Sequence, residues 1–195
     1  MLQDQTPTNF TNHFLIAMPG LEDEGFSKSV VYMCEHTERG ALGLVINKPS
    51  DINLKKLFDK VELPLDRSDL ADALVFQGGP VQTERGFVLH ESMMPGLEAV
   101  YASTMSIPGG LEMTTSKDVL EALSTGNGPK KVFVSLGYSA WGEGQLESEI
   151  SDNSWLTVAA DIAVIFDTPV EERYAKAMGL LGLESWMLSP DAGHA

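Results

Sequence analysis

"SVVYMCEHTERGALGLVINKP", residues 29–49, is the stretch on which the fold turns. Two runs rich in β-branched and large apolar residues, 29–36 and 41–49, flank the polar link "TERG", which ends in Gly40. Paired runs around a short glycine-ended link predict a β-hairpin. Upstream, "HFLIAM" (13–18) has the make-up of a buried strand and stops at Pro19-Gly20. Downstream, "DINLKKLFDKVELP" places Leu54, Leu57, Phe58 and Val61 at i, i+3, i+4 and i+7, one apolar helix stripe that ends ahead of Pro64.

The same alternation of short strands and isolated helices continues. "ALVFQGGPV" (73–81), "RGFVLH" (85–90), "EAVYAST" (98–104) and "GLEMTTS" (110–116) predict strands. "SKDVLEALSTGNG" predicts a helix capped by Ser116 with Val119, Leu120 and Leu123 inward. "KKVFVSLGYS" (130–139) predicts a strand, "WGEGQLESEI" (141–150) a turn into a short helix, and "SWLTVAA" (154–160) and "IAVIFD" (162–167) two more strands. Thr168, Pro169 and Glu171 have capping-box spacing for a last helix, with Val170, Tyr174, Ala177 and Leu181 on its buried face and Gly182 at its exit. Strands in pairs with short links argue for an α+β fold with a mixed, largely antiparallel sheet over a doubly wound parallel one. A chain of 195 residues without composition shifts or repeats fits a single domain, 1–195, with 1–12 and 188–195 expected to fray.

Thirteen Lys and Arg against 28 Asp and Glu leave a formal charge of −15. That surface repels phosphate backbones and anionic lipid, so direct nucleic-acid binding is disfavoured. No apolar run approaches the ~18 residues of a membrane span, and the polar N-terminus does not resemble a secretory signal. One cysteine forms no internal disulfide. The expectation is a cytoplasmic protein.

That cysteine, Cys34, stands two residues before His36, one of four histidines. In a regular strand the two share a face and Glu35 points away, so a thiol–imidazole pair is conceivable but lacks its orienting third group. The competing reading is a buried Cys34 that behaves as a small hydrophobe. His13, His36 and His90 show no ligand spacing, so no metal is expected. "FQGGPV" (76–81) could expose amide groups to an anion, but matches no nucleotide fingerprint; a tight turn explains Gly78 and Gly79 equally well. In "LGYSAWGEGQLESEI" (136–150), Tyr138 and Trp141 sit among glycines at a strand end, where binding residues gather. Glu147 and Glu149, two apart, do not share a helix face.

"FLIAMP", "VVYMCEH", "GLVINKP", "FQGGPV", "RGFVLH" and "GYSAWGEGQLESEI" with Ser154-Trp155 occur in order over nearly the whole chain and resemble the AlgH/YqgE family. Ala140 stands where that family commonly has glycine. The resemblance implies a bacterial cytosolic protein whose sheet has a small barrel-like core surrounded by helices. It carries a transcriptional-regulator label attached to no DNA-binding motif, and it implies no reaction and no cofactor. Its motifs fall on Cys34, His36, Asn47, Lys48, Gly78, Gly79, Trp141 and Gln145, to which the strand-end loop adds Tyr138. These nine residues form the candidate cleft of a non-enzymatic regulatory protein that binds a small ligand or a protein partner. The alternative is a thiol-dependent enzyme or redox sensor that uses Cys34 with His36.

Overall fold

The computed structural model describes residues 9–20, 26–93 and 99–182. Its elements, in chain order, are β1 (His13–Ala17), β2 (Val30–Thr37), β3 (Gly40–Val45), β4 (Pro49–Asn53), α1 (Leu54–Lys60), β5 (Leu74–Gln77) and β6 (Val81–Glu91). Then follow β7 (Thr104–Ile107), β8 (Leu111–Thr114), α2 (Asp118–Ser124), β9 (Val132–Trp141), α3 (Gln145–Ser151), β10 (Trp155–Ala159), α4 (Ile162–Phe166) and α5 (Arg173–Leu180).

The expected hairpin is β2–β3, with Thr37 opposite Gly40. Gly40 is required there, because a Cβ would lie 2.3 Å from the carbonyl oxygen of Trp141. From this hairpin a ten-stranded sheet spreads in the order β10-β1-β2-β3-β9-β6-β8-β7, with β4 and β5 off that path. All pairings are antiparallel except β5–β9. The fold is therefore α+β but dominated by strands, and the sheet curls into a half-barrel.

Curling follows from how β9 is shared. Its first half pairs with β5 and its second half with β3, while β6 runs along much of its length. Gly137 marks the change at φ +78°, where a Cβ would meet the Gly79 carbonyl at 2.5 Å. Phe133 and Tyr138 face one apolar cluster, whereas Val134 and Leu136 face another and Trp141 a third. The bend thus swaps which side chains point inward, as bulges do. α4 and α5 cover the cluster around Phe14, Tyr32, Phe76 and Phe133; α1 and α2 cover that around Phe58, Val75 and Val134; α3 covers that around Met33, Trp141 and Trp155.

Several expectations are corrected. Residues 162–167 are not a strand: Asp161 accepts a hydrogen bond from the Ala163 N–H at 3.0 Å and starts α4, which buries Val164 and Ile165. A short apolar run carries no period that separates strand from helix. Thr168 does not cap the last helix. Its hydroxyl donates to the Ala163 carbonyl at 3.1 Å, and a 3-10 turn at Val170–Glu172 precedes α5. Ser116 is not the cap of α2: its hydroxyl lies between the Ala102 carbonyl and the Asp118 carboxylate, and the helix starts after Lys117 without a side-chain cap. Residue 98 lies outside the described residues, 100–103 are bends, and the strand expected over 98–104 begins at Thr104. Within the arm expected to fray, Asn12 is tied down: its N–H donates to Met33 at 2.8 Å and its side chain accepts from the Tyr32 hydroxyl at 2.9 Å. Residues 1–8 and the tail 188–195 lie outside the described residues.

Candidate functional site

The fate of Cys34 and His36 is set by a slip in one ladder. Met33 stands opposite Gly43, but Glu35 stands opposite Leu42, so one residue, Cys34, is left over between them. Such a bulge reverses the inward and outward sense of everything beyond it. Cys34 stays with Phe14, Tyr32 and Leu44 in one core cluster, while His36 consequently lies opposite Ala41 on the other face, over Phe10. The two side chains do not share a face, contrary to the regular-strand expectation. Cys34 is 2% exposed, its thiol reaches only toward the Tyr32 carbonyl at 3.8 Å, and burial pushes its pKa up. A reactive thiol needs exposure and a neighbouring positive charge. The geometry required for the thiol-enzyme alternative is missing.

His36 has a structured setting of its own. Its ring stacks on Phe10 with centroids 5.5 Å apart. The backbone N–H of Phe10 donates to Nδ1 at 3.0 Å, so that nitrogen presents its lone pair. The proton therefore sits on Nε2, which donates to Glu147 Oε1 at 2.6 Å. This bond holds the Glu147 carboxyl below its ordinary pKa. Glu147 is on α3, whose other acid, Glu149, points elsewhere: it accepts from the indole N–H groups of Trp141 at 3.3 Å and Trp155 at 3.1 Å. The two acids serve different faces, as their spacing predicts.

Trp141 is not an exposed ring on a mobile turn. It is 5% exposed and packs edge-on against Trp155. Tyr138 packs edge-on against Phe87, and Gln145 accepts the Gly142 N–H at 3.0 Å in the turn that leads into α3. Gly78 and Gly79 form a packing turn: a Cβ on Gly79 would lie 2.2 Å from the Tyr138 carbonyl, and the Gly78 carbonyl accepts from Val45 N–H and the Ser139 hydroxyl. Asn47 clamps the far end of the hairpin, accepting from Val30 N–H and donating to the Lys28 carbonyl. The Lys48 carbonyl accepts from Gln77 N–H.

The nine expected residues therefore do not line one cleft. His36, Trp141 and Gln145 gather at the hairpin tip. Asn47 and Lys48 lie at the other end of β3, about 20 Å away at ~3.3 Å per strand residue. Gly78, Gly79 and Tyr138 lie between, and Cys34 is in the core.

At the tip the structure does hold a cleft, of 410 Å³, between the hairpin turn and the entry to α3. Asn9, His36, Thr37, Glu38, Glu143, Gly144 and Glu147 line it. Of these only His36 is among the nine expected residues; Asn9, Thr37, Glu38, Glu143, Gly144 and Glu147 were missed by reading the sequence. Glu38, Glu143 and Glu147 stand within three residues of His36 or Gln145, but nothing local shows that the hairpin tip faces α3 or that Asn9 joins them.

Fold and site together define a class: an acidic α+β domain on one curled antiparallel sheet, with a carboxylate-lined cleft at a hairpin tip. A family model described as DUF179, AlgH-like matches residues 14–186, and the chain belongs to that family. It is 85% identical over the full length of both chains to a UPF0301 protein of Polaromonas, and 74% identical, again over both full lengths, to one of Variovorax paradoxus. The solution structure of the AlgH protein from Pseudomonas aeruginosa superposes with a TM-score of 0.76 at 48% identity, covering 100% of each chain. A Corynebacterium diphtheriae crystal structure shares the fold at a TM-score of 0.68 and 20% identity, over 86% of this chain and 85% of that one.

Proposed function

We propose that the chain is a non-enzymatic regulatory protein whose recognition site is the hairpin-tip cleft, and that the cleft takes a positively charged group. That group is an amine of a small ligand or a basic side chain of a protein partner. One observation carries the reading: three carboxylates, those of Glu38, Glu143 and Glu147, line 410 Å³ with no Lys or Arg among the lining, and His36, already bonded to Glu147, is the one imidazole there. A protein of charge −15 also steers cations toward itself and nucleic acid away.

An acid–base role for His36 is disfavoured, since both ring nitrogens are already engaged, by Phe10 and by Glu147. Nor is Cys34 on the same face. Among the described residues no helix is long and apolar enough to cross a membrane. At 410 Å³ the cleft falls within the size range of small-ligand sites.

The test is an amide NMR titration of the ¹⁵N-labelled chain with spermidine and with a tetralysine peptide, repeated in a Glu38→Gln/Glu143→Gln variant. Both acids are exposed, so the variant retains the fold. Shifts confined to Asn9, Thr37, Glu38 and Gly144, weakened in the variant and by salt, support the reading. Shifts spread over the whole acidic surface, or indifferent to the variant, overturn it.

A further inference from the structure

The far side of the sheet holds a buried polar row that the hairpin-tip cleft does not use. His90 on β6 is fully buried, Glu112 on β8 is 4% exposed, and the two stand directly opposite each other in the β6–β8 ladder. Opposed residues of a ladder project from the same face with Cβ atoms about 4.5–5.5 Å apart. Glu112 Oε1 accepts from the Ser92 hydroxyl at 3.0 Å, and Oε2 is buried with no partner.

A count of protons around His90 leaves a deficit. Nδ1 lies 2.9 Å from the Glu91 carbonyl, which only accepts, so Nδ1 carries a proton. From Nε2 a chain of three contacts runs to the Thr114 hydroxyl at 2.8 Å, on to the Thr104 hydroxyl at 2.9 Å, and on to the Tyr101 carbonyl at 2.8 Å. Each contact needs one proton, and the two hydroxyls supply two. With a neutral ring, two lone pairs would face each other somewhere along this chain. A proton on Nε2 satisfies all three: Nε2–H to Thr114, Thr114 O–H to Thr104, Thr104 O–H to Tyr101. Nε2–H together with Nδ1–H makes the ring an imidazolium.

We infer that His90 holds protons on both ring nitrogens in the folded protein and forms with Glu112 a buried proton-binding pair that fastens the outer strands β7 and β8 to the rest of the sheet. Glu112 supplies the charge that makes this tolerable. A buried carboxylate with one hydroxyl donor is costly alone, and so is a buried cation; across one ladder each lowers the other's cost through space, without a direct contact between them. The remaining groups around the ring do not replace Glu112. Tyr101 presents its ring edge-on at 5.8 Å, and Val132 of β9 is apolar. Asp118, at the start of α2, is occupied by the Ser116 hydroxyl and the N–H groups of Ala102 and Val119. Glu91, next in the chain, is exposed and its backbone carbonyl is the Nδ1 partner. Removing the Nε2 proton reopens the hydroxyl chain, which runs from β6 through β8 to β7, so the outer strands loosen.

Long-range ¹H–¹⁵N spectra of the ¹⁵N-labelled chain at pH 7.5 test this directly. A free imidazole, with its ordinary pKa of about 6.5, is mostly neutral there. The signals are assigned by their loss in His90→Gln or, if that variant does not fold, by their selective displacement in Thr114→Val. Both His90 nitrogens at protonated positions is the expected result; Nε2 at the position of an unprotonated nitrogen overturns the inference. In Glu112→Gln the second proton is expected to leave, moving one His90 nitrogen to the unprotonated range. Retention of both protons in that variant overturns the pairing with Glu112.

Discussion

Glu149→Ala is the substitution with the most to reveal, because one carboxylate joins three elements. From α3 it accepts the indole N–H of Trp141 at the end of β9 and that of Trp155 at the start of β10. Both rings are nearly fully buried, at 5% and 3% exposure, so neither N–H can turn to water when the acceptor goes. Hydrogen bonds to a charged group contribute about 1.5–3 kcal/mol each, and a buried donor left unpaired costs about 1–3 kcal/mol. Glu149 itself is only half-buried, which puts both bonds at the low end, for a total loss of about 2–4 kcal/mol. With a urea slope of about 2 kcal/mol/M, the unfolding midpoint should fall by about 1–2 M. Tryptophan fluorescence reads the transition at the rings concerned. Glu149→Gln keeps an acceptor oxygen without the charge and should lose about 1 kcal/mol or less. The alanine variant should also loosen the hairpin-tip cleft, since α3 carries Glu147 to His36, and the Phe10 amide resonance reports that contact. Equal midpoints for the alanine and glutamine variants, or a shift of the alanine variant below about 0.3 M, would refute the reasoning.

Other outcomes follow from the same packing. Cys34 should resist alkylation in the folded chain at any pH up to 9 and react only after unfolding. Because burial raises its thiol pKa, the folded state holds that proton longer than the unfolded one, and this contribution to stability fades as pH climbs above about 8.5. Glu147 works in the opposite sense: its lowered pKa gives stability that is present above the ordinary carboxylate range and is lost on acidification. Glu147→Gln should therefore flatten the acid limb of a pH–stability curve below about pH 4.5. Gly79→Ala should abolish folding or lower the thermal midpoint by many degrees, since a Cβ at φ +157° meets the Tyr138 backbone at 2.2 Å. Arg173→Lys should be markedly destabilising in denaturant titrations. The buried guanidinium donates to both the Ile46 and Thr168 carbonyls while its carbon lies 4.8 Å from the centre of the Phe76 ring, and an ammonium cannot reproduce that fork and stack.

What could be read from the sequence was whatever depends on neighbours along the chain. The hairpin was legible because Gly40 and its polar link are local, and so was α1, whose Leu54, Leu57 and Phe58 are buried as their spacing requires. The face of α5 was also legible even though its start was not, because periodicity survives an error in the cap: Ala177 is buried, and Tyr174 and Leu181 pack on the same cluster. Residues 162–166 failed for the converse reason. Five apolar residues carry no period, and their state is decided by the cluster they cover, which lies on strands far away in sequence.

The candidate site divides along the same line. The motifs carrying the family resemblance point to positions under constraint, and the structure shows that several of these constraints are of packing: Gly78 and Gly79 against β9, Asn47 clamping β2, Trp141 under α3. The chemistry of "CEH" turned on a feature that alternation cannot foresee. Alternation with Val30 and Tyr32 keeps the thiol inward, and one extra residue in β2 sends the imidazole to the opposite face; nothing local to residues 30–37 requires it. The facing strand keeps its alternation, with Leu42, Leu44 and Ile46 on the Cys34 cluster and Ala41 and Val45 on the Trp141 cluster, so the extra residue belongs to β2. The slip that parts His36 from Cys34 brings His36 to Glu147, and it thereby makes one wall of the acidic cleft. A variant that heals the bulge, by deleting Cys34, would restore alternation to β2 and leave His36 on the same face as before relative to Ala41. The hairpin-tip cleft should survive that deletion while the core around Tyr32 loses a side chain, which separates the structural role of residue 34 from the recognition role of residue 36.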